Sequence, residues 1–220
     1  MTLGRGLSRR PRTDIRPSAA ASGNPEQPSR GTRLARAVTE VLAPTNVAAA
    51  QVLLVSWDSA PGLAGLAWGL LTATFCGLLP AGIVLVGVRR HQWTDRHLRT
   101  RQQRPVPLLA GIASFLVGLG MLVVLDAPRQ LTALMVAMLT GLAATLVVNL
   151  WWKLSIHTAA ASGTVAILIL TYGSALTLAI PAVAVVAWSR VRLGDHTPPQ
   201  TVAGALLGGL VATIFFIALR

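Results

Sequence analysis

The chain has 220 residues, 53% of them hydrophobic and only 12% charged, with a mean hydropathy of +0.62 and a formal net charge of +12. Soluble domains carry roughly 25% charged residues, so the composition argues against a soluble globular protein. The basic excess (18 Arg and one Lys) does not require nucleic acid as a partner, because loops on one side of a membrane protein are enriched in Lys and Arg.

Residues 1–33 are rich in Arg, Pro, Ser and Gly and almost lack large apolar side chains. Such a segment cannot bury a core and reads as a disordered, solvated basic tail. No apolar run follows its first arginines, so it is not a signal peptide. Residues 34–220 read as one transmembrane domain. Its opening stretch, 34–57, is compatible with a helix but interrupted by Glu40, Pro44, Asn46 and Gln51, and reads as an interfacial helix.

Uncharged stretches near the ~20 residues needed to cross a bilayer follow. Their backbone groups find no water there, which predicts helices. Six spans are expected: 62–88, 106–125, 131–152, 157–172, 176–188 and 201–219. The fold class is therefore an all-α, polytopic membrane bundle of about six helices plus the interfacial one. Gly204 and Gly208 form a Gly-x-x-x-Gly spacing that permits close helix contact. Trp151, Trp152 and Trp188 stand at span ends as interface anchors. The single cysteine, Cys76, lies inside a span and has no cysteine to pair with in the chain.

Crossing parity brings three polar segments to one face. They hold Arg96, Arg99, Arg101 and Arg104, then Lys153 and His157, then Arg190, Arg192 and His196. The opposite turns hold few charges. A guanidinium pairs bidentately with phosphate and never deprotonates, and an imidazole can act as nucleophile or as acid and base. A cluster of these groups at a membrane face suits a phosphate. The span interiors carry no charges, which argues against a transporter or channel. The aspartate clusters that hold divalent ions in other lipid enzymes are missing, so no metal and no cofactor is expected.

The third segment contains Ser189-Arg190, five residues, and His196, with Gly194 between. This resembles the last signature of the type 2 phosphatidic acid phosphatase family: Ser-Arg, five residues, His, three residues, Asp. Ser155 and His157 resemble that family's Pro-Ser-Gly-His signature, and Arg104-Pro105 resembles the end of Lys, six residues, Arg-Pro. The resemblance covers about 89–210. It departs at His97, where the family has lysine, and at Gln200, where it has aspartate. It also departs in having two spans between the first and second motifs.

The resemblance implies a phosphatase of lipid phosphates such as phosphatidic acid, phosphatidylglycerophosphate or a polyprenyl phosphate. In it His196 would be the nucleophile and His157 the general acid. Arg104, Arg190 and Ser155 would bind phosphate oxygens, with Lys153 and Arg99 adding charge. Gln200 would orient His196 in place of the aspartate, accepting its hydrogen bond without charge. A non-catalytic lipid-phosphate binder or structural protein of the same fold is the alternative, favoured by Gln200 and the missing lysine. The expected partners are a lipid phosphate and membrane lipids. With six crossings the basic tail and the cluster lie on opposite faces of the cell membrane, so a cytoplasmic tail gives an extracytoplasmic site. If residues 34–57 cross as well, 17 of the 19 basic residues share one face.

Overall fold

The computed structural model describes residues 29–91 and 105–220, and the regular structure among them is entirely helical. The tail expected over 1–33 lies outside the described residues as far as position 28. Its last residues are folded. The Ser29 hydroxyl accepts from the Thr32 N–H at 3.3 Å, capping α1 (Arg30–Val41), and accepts from Arg192 Nη2 at 3.4 Å. Ala35 and Thr39, one turn apart, are the buried face of α1, while Arg33 and Arg36 are exposed. Thr39 shares a buried hydroxyl–hydroxyl hydrogen bond of 3.1 Å with Ser189.

Helix α2 (Pro44–Ser59) starts on a proline, whose missing N–H is not needed in a first turn. Asn46 Nδ2 donates to the carbonyls of Glu40 and Val41, at 2.9 and 3.2 Å, and so satisfies the end of α1. The two helices bend by 44°. Downstream, the Tyr172 hydroxyl donates to the Leu54 carbonyl at 2.6 Å, and Ser59 Oγ donates to Gln130 Oε1 at 2.7 Å. Thus α2 runs from the end where α1 meets Ser189 to the opposite end of the bundle, and with α1 it forms the bent pair that stands where an interfacial helix is expected over 34–57. Its polar residues lower the hydropathy, but the protein supplies their partners.

Helix α3 (Leu63–Ala73) passes through a π turn (Thr74–Leu78) into α4 (Leu79–Arg89), making one 27-residue span. Pro80 has no N–H to offer the turn before it, and Ser114 Oγ donates to the Phe75 carbonyl at 2.6 Å instead. The chain continues with α5 (Pro105–Val124), α6 (Arg129–Trp151), α7 (Ile156–Tyr172), a 3-10 turn (Ser174–Ala179), α8 (Ile180–Arg192) and α9 (Pro198–Leu219). Four segments are long and apolar enough to cross a bilayer: Leu63–Arg89, Arg129–Trp151, Ser174–Arg192 and Pro198–Leu219. The bent α1–α2 pair passes the same test of length and composition when taken as one broken span, which brings the total to four or five. The apolar parts of α5 and α7 are shorter, over Leu109–Val124 and Ile156–Tyr172, so among the described residues the count of six spans is not confirmed.

Leu131, Leu134 and Met135 of α6 are fully buried against Val52, Val55, Leu122, Ile167 and Phe216. Outside, Leu206, Leu210, Ile214 and Ile217 form an exposed apolar stripe on α9. Such a stripe suits lipid rather than water. The most extensive helix contact joins α7 and α9. Gly208 sits so close to α7 that a Cβ there would overlap the Ala159 backbone, the small-residue packing that the Gly204–Gly208 spacing predicts.

Candidate functional site

The site is assembled where α6 hands over to α7 and α8 to α9. Lys153 Nζ donates to the Asp195 carbonyl at 2.5 Å, and the Ser155 N–H donates to the Gln200 carbonyl at 3.3 Å. The second and third polar segments therefore meet at one end of the bundle, as crossing parity predicts.

At the end of α8 the chain reverses. Gly194 has φ +71, a left-handed conformation that costs glycine little. The Gly194 N–H donates to the Val191 carbonyl at 3.0 Å and the Asp195 N–H to the Arg190 carbonyl at 3.1 Å, the two bonds of a Schellman turn. This reversal folds Asp195 back onto its own helix. Its Oδ2 lies 3.0 Å from Arg190 Nη2, with both side chains largely buried. The Schellman turn thus places Asp195 on the arginine.

A cavity of about 650 Å³ opens beside this turn. His157, Arg190 and His196 line it together with Glu40. Its remaining wall is mostly apolar and includes Cys76, Phe115, Met138 and Ile167. His157 lies in the first turn of α7, where the helix dipole is positive and favours an anion. Two imidazoles and a guanidinium at one end of an apolar slot can bind an anionic headgroup while the slot takes hydrocarbon.

The other expected residues are distributed differently. Ser155 is fully buried as the N-cap of α7, where its Oγ accepts from the Thr158 N–H at 3.4 Å, and it is not among the cavity-lining residues. Lys153 is exposed and also lies off the cavity wall. Gln200 completes a capping box at the start of α9. Its Oε1, the acceptor expected to orient His196, accepts from the Thr197 N–H at 3.0 Å. Arg99 and Arg104 lie outside the described residues. The helix that begins directly after Arg104 does reach the cavity, through Pro107 and Gly111.

Glu40 is the one carboxylate on the cavity wall among the described residues. Sequence reasoning passed over it as one polar interruption in an ambiguous helix. The signal available was an acid within a stretch otherwise rich in Ala and Val. Among the described residues no group of three His, Cys, Asp or Glu side chains is placed to hold a metal ion. Comparison with protein-family models, characterised proteins and solved structures finds no match to this chain.

Proposed function

We propose that this protein is a membrane-embedded phosphatase of lipid phosphates, a divergent relative of the type 2 phosphatidic acid phosphatases. The observation that carries the reading is the shared cavity. His157, Arg190 and His196 come from separate parts of the chain, yet line one end of a single slot whose remaining wall is mostly apolar. A transferring phosphoryl group spreads its charge over three oxygens and needs chiefly positioning and electrostatic stabilisation. Arg190 provides a fixed cation. The His196 imidazole attacks phosphorus as the bond to the lipid oxygen breaks, and His157 gives that oxygen its proton. Water, deprotonated by His157, then attacks the phosphohistidine, releasing phosphate and restoring His196. Nothing in this sequence of steps requires a metal ion.

The site faces the cytoplasm in this reading. Because α2 runs the length of the bundle, the basic tail joins at the site end rather than opposite it. Among the described residues, eight of the ten Lys and Arg belong to that end, leaving Arg129 and Arg220 at the other. The positive-inside rule assigns the richer end to the cytoplasm. This replaces the extracytoplasmic site expected from six crossings.

A second reading, a non-catalytic binder of lipid phosphate, draws support from the Thr197–Gln200 capping box and from the Asp195 carboxylate on Arg190. Phosphate release from a panel of lipid phosphates by the detergent-purified protein decides between them. Metal-free release that disappears in His196→Ala supports the phosphatase. No release from any lipid, with binding retained, leaves the binder.

A further inference from the structure

Within the cavity wall, α2 and α7 meet through one polar contact. Thr164 Oγ1 donates to Gln51 Oε1 at 2.5 Å, and both residues line the slot. Gln51 is only 2% exposed, and its Nε2 has no hydrogen-bond partner. A buried amide donor left unsatisfied is costly, the more so where no water reaches. The donor belongs to a residue of the slot wall, so an acceptor carried by the slot's occupant would satisfy it.

The depth of this pair limits what that acceptor is. Thr164 follows His157 by seven residues, so both lie on one face of α7, about 10 Å apart along its axis. In a diacylglycerol phosphate the ester carbonyl oxygens follow phosphorus by six or seven bonds, a reach of about 7–9 Å for an extended covalent chain. A polyprenyl phosphate offers only hydrocarbon at that depth. We propose that the Gln51 amide donates to an ester carbonyl of a diacylglycerol phosphate, and that this bond selects glycerol-ester lipids over polyprenyl phosphates. Thr164 positions the amide by engaging its oxygen. The proposal rests on the phosphate occupying the His157–Arg190–His196 end of the slot.

The experiment compares three ligands in the full-length, detergent-purified protein: a diacylglycerol phosphate, its dialkyl ether analogue with the same chains, and a polyprenyl phosphate. Hydrolysis is measured as kcat/KM. Binding is measured in parallel by titration with non-hydrolysable phosphonates of the diacyl and dialkyl lipids, so a failure of catalysis is seen separately from a failure of selection. The wild type should prefer the diacyl lipid roughly tenfold over the ether, the scale of one buried hydrogen bond. Gln51→Met should remove that preference by weakening the diacyl lipid alone. Equal affinity of the wild type for diacyl and ether lipids, or an equal loss for both in Gln51→Met, overturns the proposal and leaves a water as the partner of the amide. Should Gln51→Met fold poorly, the double variant Gln51→Met/Thr164→Val removes both halves of the pair and faces the same comparison.

Discussion

At the residue scale the site is governed by how Arg190 shares its charge. Asp195 lies 3.0 Å from the guanidinium and lowers the net positive charge that a phosphate would meet under the proposed function. The same contact fixes the arginine in a largely buried position, where an unpaired charge is expensive. Asp195→Asn should therefore separate two effects. The melting temperature falls, by the equivalent of about 1–3 kcal/mol for a charged hydrogen bond lost in partial burial, while affinity for inorganic phosphate rises several-fold. Calorimetry and phosphate titration of one preparation check both, and a fall in both would mean that Arg190 needs Asp195 to be placed at all. Gln200 offers a second test. Gln200→Glu keeps a capping box and adds negative charge to the first turn of α9, worth about 0.3–1 kcal/mol there. Phosphate release should stay within a few-fold. Restoring a carboxylate that truly oriented His196 would instead raise the rate by orders of magnitude, since the analogous loss in a serine protease costs about 10⁴.

At the element scale the α7–α9 contact holds the two halves of the site together. His157 stands in the first turn of α7, and α9 begins two residues after His196. Gly208→Val places side-chain atoms where the Ala159 backbone lies. Overpacking of this kind costs about 1–3 kcal/mol, and it should lower both thermal stability and phosphate release. Gly120→Ala, with open space around its Cβ, should change neither. This contact was legible in the sequence because small residues four apart have one strong structural meaning inside a membrane. The path of α2 was not. Hydropathy counts each side chain as though it faced lipid, whereas Asn46 and Gln51 meet the ends of α1 and the hydroxyl of Thr164. The family resemblance likewise pointed to Arg190, His157 and His196, which line one cavity. The cap roles of Ser155 and Gln200 escaped, because a motif does not show which backbone donors compete for an oxygen at a helix start.

At the scale of the whole molecule, sidedness follows from the course of one helix. Were α2 to lie on the surface, an odd number of crossings would separate the basic tail from each polar segment of the site and put the two on opposite faces. With α2 running end to end, Arg30, Arg33 and Arg36 share the end that carries Arg89, Arg90, Lys153, Arg190 and Arg192. The sequence segments 1–28 and 92–104 contain nine more arginines. Moving that charge outward across an energised membrane opposes the potential by about 2.3 kcal/mol per charge per 100 mV, and this supports the proposed cytoplasmic placement of the richer end. Single-cysteine variants test this in a Cys76→Ser background, which removes the native thiol. Arg90→Cys, exposed at the site end, should be shielded from a membrane-impermeant maleimide in intact cells and react after permeabilisation. Ser174→Cys, exposed at the opposite end, should react in intact cells. The reverse labelling would return the site to the outer face. It would also make the substrate a lipid phosphate of the outer leaflet, whether or not Gln51 selects its esters.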